Sequence, residues 1–139
     1  METLESSSFC LDSTVLIDNL RGRKQTVEFI GKLESSGANL ATTTINSFEL
    51  YYGAYRSTKR DKNLAATRLL LRRLTILELS DEASEEAGKI LAMLDAKGEP
   101  VEFRDVLIGA IARTHGTTLV TKDTEHFLRM PGLEVSEAP

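Results

Sequence analysis

Cysteine is almost missing from this chain. Cys10 stands alone among 139 residues, so no disulfide forms within the chain and a stapled secreted scaffold is excluded. Long apolar runs are missing too. The opening segment Met1–Ser8 is short and polar, with nothing long enough for a signal peptide or a membrane span. A reducing, cytoplasmic setting and no membrane partner are therefore expected. Histidine is scarce: His115 and His126 are the only two, and neither has a second His or Cys at ligand spacing. No linker, low-complexity stretch or internal repeat interrupts the chain, so residues 1–139 are expected to form a single domain. A chain of this length buries about 68% of the surface its unfolded form exposes, enough for one core without staples.

What is present is an ordinary globular balance, 41% hydrophobic and 27% charged residues. The net charge of −4 speaks against a nucleic-acid partner only if the charge is evenly spread, and it is not. Arg56, Lys59, Arg60, Lys62, Arg68, Arg72 and Arg73 follow one another with only Asp61 opposed. From Glu78 to Glu102 acids dominate. Such asymmetry puts a phosphate-attracting face on a negative protein. Arg72 and Arg73 are taken as candidate RNA-binding residues, against the plainer reading of a solvated helix face.

Strand and helix patterns alternate along the chain. Ser8–Leu11, Asn39–Thr42, Leu74–Leu79 and the β-branched run Thr117–Thr121 read as strands. Helices are expected over Thr14–Leu20, Thr26–Leu33, from a cap at Asn46 through Tyr55, Lys62–Arg73, Asp81–Lys97 and Asp105–His115. Gly98 and Pro100 stop the fifth of these, and Gly116 caps the sixth. Alternation of this kind gives a parallel sheet covered on both faces, an α/β fold in the form of a three-layer α/β/α sandwich with a short central sheet.

Ligands of open parallel sheets bind beyond the carboxyl ends of the strands. Asp12 follows the first strand, Asp123 lies just past the last, Glu49 sits early in the helix after the second strand, and Asp105 opens the buried helix feeding the last. Each has a separate structural explanation: Asp12 and Asp105 as helix caps, Asp123 as a turn residue, Glu49 as a surface acid. Yet Glu49 lies in an apolar stretch with Ile45, Phe48, Leu50, Tyr51 and Tyr52, where an unpaired carboxylate is costly. Converging carboxylates repel by about 3 kcal/mol per pair at ~5 Å with an effective dielectric of ~20. A bound Mg²⁺ or Mn²⁺ removes that repulsion, because hard cations take oxygen ligands. Cys10 is expected to pack inside a strand, His115 to suit a helix C-terminus, and Asp18 to be solvated. Tyr51 and Tyr52 are expected in the core or at a subunit interface.

Four segments in order resemble one family. Phe9-Cys10-Leu11-Asp12-Ser13-Thr14 resembles the opening of PIN domains, a strand ending in Asp followed by small hydroxyl residues. Phe48-Glu49-Leu50-Tyr51-Tyr52-Gly53-Ala54 is similar to the Glu-Leu-x-Tyr-Gly-Ala helix of the virulence-associated toxin branch. Phe103-Arg104-Asp105-Val106-Leu107-Ile108-Gly109-Ala110 is similar to its Asp-x-Leu-Ile-Ala-Ala segment, with Gly109 in place of the first alanine. Leu119-Val120-Thr121-Lys122-Asp123 through Phe127, then Pro131-Gly132-Leu133, resembles its C-terminal signature.

The resemblance implies that Asp12, Glu49, Asp105 and Asp123 form an acidic catalytic quartet. Within it Asp12, Asp105 and Asp123 would serve as metal ligands, and Ser13 and Thr121 would orient ligands through their hydroxyls. Phe103 stands where some relatives carry a further acid, so the chain has one fewer outer ligand. The implied activity is metal-dependent endoribonuclease cleavage, with Mg²⁺ or Mn²⁺ as cofactor and transfer or ribosomal RNA as target. The implied role is the toxin of a toxin–antitoxin pair, with a cognate antitoxin and a homodimer as partners. A catalytically silent PIN fold that only binds RNA or a partner is the rival reading; a binding module gains nothing from clustered acids. An aspartyl phosphatase is disfavoured because Thr14, not a second Asp, stands two residues after Asp12.

Overall fold

A computed structural model of the chain describes residues 7–139. The start of the polar opening segment, residues 1–6, lies outside the described residues, and so does that part of the signal-peptide reading. The elements in order are β1 (Ser8–Leu11), α1 (Ser13–Leu20), α2 (Lys24–Ser35), β2 (Asn39–Thr43), α3 (Thr44–Arg56), α4 (Arg60–Arg72), β3 (Thr75–Leu77), α5 (Asp81–Ala96), α6 (Phe103–Thr114), β4 (Thr118–Thr121), α7 (Thr124–Phe127) and β5 (Val135–Glu137). The strands form one parallel sheet in the order β3-β2-β1-β4-β5.

Side chains of a strand alternate between faces, and here the alternation separates two cores. Cys10, Ala41, Leu77 and Leu119 point into a core made with α5 and α6, around Ala87, Ile90, Leu94, Val106, Ile108 and Ile111. Their neighbours Leu11, Leu40 and Val120 point the other way, against Val15, Leu16, Ile30, Leu50, Leu70 and Leu71 from α1 to α4. The result is the expected α/β/α sandwich. Each fully buried Leu or Ile contributes about 1.5–3 kcal/mol through burial.

Helix ends carry their own local reasons. Ser80 accepts from the Ala83 N–H at the start of α5, and Asp81 and Glu82 fill its acidic first turn. Gly98 and Gly116 take positive φ after α5 and α6, as expected of helix stops. α3 corrects the sequence reading: its N-cap is Thr43, and Asn46 is the third helical residue of a capping box. Two elements were not anticipated. The four residues of α7 are too few for a helical period, and β5 carries a single apolar residue, Val135. No helix among the described residues is long and apolar enough to cross a membrane.

Candidate active site

The chain builds β2 and β3 to one side of β1, then returns to place β4 on the other. A crevice opens where such an order reverses, at the carboxyl ends of the strands. Asp12 leaves β1 there and Asp123 leaves β4 there, while Asp105 lies in the first turn of α6. The capping explanations do not survive. Asp12 and Asp123 occupy N-cap positions, yet neither side chain makes a capping hydrogen bond, and the N-cap of α6 is Glu102 rather than Asp105.

Asp12 is 5% exposed and surrounded by donors. One carboxylate oxygen accepts from Asn46 Nδ2 at 3.0 Å; the other accepts from Thr121 Oγ1 at 2.8 Å and Thr14 Oγ1 at 3.2 Å. Burial raises its pKa above the ordinary carboxylate range, and hydrogen bonds from Thr121, the Ser13 N–H, Thr14 and Asn46 oppose that rise. Asn46, fully buried, is the hub of this arrangement. Its carbonyl accepts from the Thr43 N–H at 3.3 Å and hydroxyl at 2.7 Å, and its amide donates to Asp12 and, at 2.8 Å, to Ser13 Oγ. The sequence presents Asn46 as a cap, and the Thr43-x-x-Asn46 spacing is its one signal of a further role.

Asp105 and Asp123 are held differently. With His126 they form the one group of at least three potential metal-ligating side chains among the described residues, with ligand atoms all within 4.8 Å of one another. His126 Nδ1 lies 3.5 Å from Asp105 Oδ2 and 3.4 Å from Asp123 Oδ2. It is also the one buried side-chain polar atom without a hydrogen-bond partner among the described residues. The Asp105 carboxyl is pushed up to about 6, first by burial, then by the negative charges of Asp12 and Glu102; His126 opposes the rise, and Asp123 adds to it. The sequence offers this imidazole no paired His or Cys at ligand spacing. The structure supplies two carboxylates instead, one of them three residues away in sequence.

Glu49 stands at the rim, outside that trio. Ser13 donates to its Oε1 at 2.8 Å, and Arg104 lies 3.4 Å from its Oε2 while also gripping Glu102 at 2.6 Å. Glu49 is thus partnered and partly open to solvent, not buried alone; Phe48 beside it is exposed and stacks on Tyr52, with Arg56 over the Tyr52 ring. Tyr51 packs on the α1–α4 core, whereas Tyr52 is exposed. Asp18, expected in solvent, is buried and paired with Lys122 and with Arg23 at 3.3 Å; the Lys122 hydrogen bond holds its carboxyl below the usual range. Cys10 is buried in β1, and burial pushes its thiol up to about 12, which suits packing and not nucleophilic attack. Arg72 and Arg73 end α4 and lead into the amino end of β3, the edge of the sheet opposite the crevice, where Arg73 pairs with Glu34.

Fold and crevice together define the class: a three-layer α/β domain with acidic side chains gathered at the switch point of its sheet. The model of the PIN domain matches residues 9–133. The chain is 30% identical to the tRNA(fMet)-specific endonuclease VapC of Salmonella typhimurium over 93% of its length and 96% of that protein. It is 30% identical to ribonuclease VapC2 of Haemophilus influenzae, over 90% of this chain and 93% of that one. Among solved structures, DNA-bound VapBC from Salmonella typhimurium superposes with a TM-score of 0.86 at 29% identity, covering 94% of this chain and 98% of that one. VapBC2 from Rickettsia felis, bound to a promoter DNA fragment, shares the fold with a TM-score of 0.88, covering 95% and 99%. The chain belongs to the PIN-domain family, alongside the VapC ribonucleases.

Proposed function

We propose that this chain, as a single PIN domain, is a divalent-metal-dependent endoribonuclease, the toxin of a toxin–antitoxin pair acting in the cytoplasm. The VapC relatives support RNA cleavage and an antitoxin partner; the observation that carries the metal reading is the meeting of Asp105 and Asp123 beside the buried Asp12. The donor set fits a Mg²⁺ or Mn²⁺ ion. Carboxylate oxygens dominate it, their mutual repulsion calls for a cation, and no capping bond consumes them. Asp105 and Asp123 would hold the ion. Asp12, expected from the sequence as a third ligand, lies outside the group whose ligand atoms meet within 4.8 Å. Its oxygens accept from Asn46, Thr121 and Thr14, and it would complete the negative field behind the other two. When bound, the ion supplies water at a lowered pKa and positive charge against the phosphoryl oxygens.

The chain's own residues do the rest. Thr121 and Asn46 fix the Asp12 carboxylate, and Thr121 also accepts from the Asp123 N–H at 3.0 Å, so one hydroxyl ties both strand ends together. Ser13 holds the Glu49 carboxylate at the rim of the crevice, where it would orient a water or accept its proton. Arg104, at the rim, is the cation placed to meet an RNA phosphate when it releases Glu49. Exposed Phe48, Tyr52 and Tyr55 on α3 offer apolar surface for an antitoxin or for a second copy in a homodimer.

Because the attacking group is external water, the RNA 2′-hydroxyl takes no part. Transfer RNA incubated with the protein and Mg²⁺ or Mn²⁺ should yield 5′-phosphate and 3′-hydroxyl ends by mass spectrometry, and a chelator should stop cleavage. Ends bearing 2′,3′-cyclic phosphate would exclude this reading.

A further inference from the structure

We propose that His126 is itself a metal ligand, its Nδ1 adding a nitrogen donor to Asp105 and Asp123 and tilting the site toward Mn²⁺ over Mg²⁺. This inference rests on the divalent-ion reading of the crevice and adds a residue and a selectivity to it.

The first observation is the idle nitrogen. Nδ1 is buried and unpartnered although two carboxylate oxygens lie 3.4 Å and 3.5 Å away. A buried polar atom without a partner is rare and needs a cause. Those contacts are not hydrogen bonds, yet they suit neighbours around one cation. Ligands about 2.1 Å from an ion lie roughly 3.0–3.4 Å from one another for angles between octahedral and tetrahedral.

The second observation is how the imidazole is fixed. Phe127, the next residue, is 1% exposed in the α5–α6 core and anchors α7, while the His126 side chain is 39% exposed with its Nδ1 turned inward. The Thr121 hydroxyl holds the backbone of Asp123 at the head of the same short helix. Asp123 and His126 therefore reach the crevice as an i,i+3 pair on an anchored backbone, and Asp105 meets them from α6. His115 shows the contrast: it merely ends α6 and belongs to no such group among the described residues.

The chemistry follows from the donor atoms. Mg²⁺ strongly prefers oxygen and gives up its waters reluctantly, whereas an imidazole nitrogen is a better ligand for transition ions. Replacing one oxygen by nitrogen therefore favours Mn²⁺ relative to Mg²⁺.

The test uses the full chain with Mn²⁺ alone as probe. Pulsed electron paramagnetic resonance of the Mn²⁺-loaded protein should show the modulation of a directly bound imidazole nitrogen. His126→Gln and His126→Asn, each checked for folding by circular dichroism, should lose that signal. Their Mn²⁺ affinity should fall by about tenfold or more, with Mg²⁺ affinity changed by less than about threefold. Mn²⁺ bound in an Asp105-dependent manner without nitrogen modulation would overturn the role of His126 and leave the ion in place. Equal losses for both ions in the His126 variants would overturn the selectivity. Absence of any Mn²⁺ binding that Asp105→Asn removes would overturn the ion reading itself, and this inference with it.

Discussion

Two carboxylates of one crevice live under opposite regimes. Asp12 is saturated with donors from Asn46, Thr121 and Thr14, while Asp105 faces Asp123 and an unbonded His126 nitrogen. The contrast separates an acid that is held from acids that are waiting. The first fixes the floor of the site through a hydrogen-bond network. The others keep their lone pairs free, and the Asp105 pKa is raised first by burial and then by the charges of Asp12 and Glu102, with Asp123 adding the least.

Replacing each acid by its amide should break the pair apart. Asp105→Asn should lower cleavage on the order of a thousandfold, the scale for losing one charge-stabilising group. It should also stabilise the metal-free protein. The Asp105 carboxyl sits near about 6 when folded against 3.8 when unfolded, so the unfolded chain releases its proton first as pH rises. Stability is then lost between about pH 4 and 6 and stays lost above, by about 1–2 kcal/mol after allowing for its partial exposure. Urea melts of Asp105→Asn should show that gain at pH 7.5 and none at pH 3.5. Asp12→Asn should go the other way at pH 7.5, losing roughly 1–3 kcal/mol, because its new amide hydrogens face groups that already donate. Gains of stability from both substitutions would erase the distinction.

Asn46 is the next place to press. Asn46→Ala strips a donor from Asp12 and Ser13 and opens the capping box of α3, so it should cost about 2–3 kcal/mol in a urea titration. Cleavage should fall with it even at temperatures where the variant remains folded. A loss of stability with full activity would mean that the position of Asp12 tolerates slack.

How these residues read in the sequence explains why one was found and the other was not. Asp12, Asp105 and Asp123 were legible because each stands at the end of a strand or the start of a helix with strong apolar periodicity, and a parallel sheet sends those ends to one edge. Asn46 was misread because Thr43 and Asn46 are both good caps three residues apart; only its burial reveals that the amide turns inward to Asp12. His126 needed the path of α6, which brings Asp105 to it across the crevice. Asp18 likewise looks solvated until Lys122, far along the chain, closes over it. Short elements escaped altogether: α7 and β5 contain too few residues to show a period. Gly109 was a visible departure whose cause lay in packing. A Cβ there would come within 2.3 Å of Met130 Sδ, in the core that anchors Phe127 and hence His126.

The smallest effect concerns the two ends of the sheet. Arg104 guards the crevice, whereas Arg72 and Arg73 lie at the far edge. Neutralising Arg104 should weaken RNA binding and reduce its logarithmic salt slope by roughly 0.7 for one lost single-strand phosphate contact. Joint neutralisation of Arg72 and Arg73 should leave that slope nearly unchanged unless the RNA wraps to the opposite edge. Filter binding across a salt series decides between a local grip and an extended one.

The borders of the sheet have a consequence for assembly. Its outermost strands, Thr75–Leu77 and Val135–Glu137, are three residues each, and the second ends in an acid. Strands so short offer few free backbone groups for another chain to extend, which is how natural sheets avoid edge-to-edge growth. Self-templated aggregation through the borders is thereby suppressed. Any lasting association falls to the helical faces, where Phe48, Tyr52, Tyr55 and Leu69 remain open. Short borders and open helical flanks thus divide the surface into parts that resist strand addition and parts free to dock.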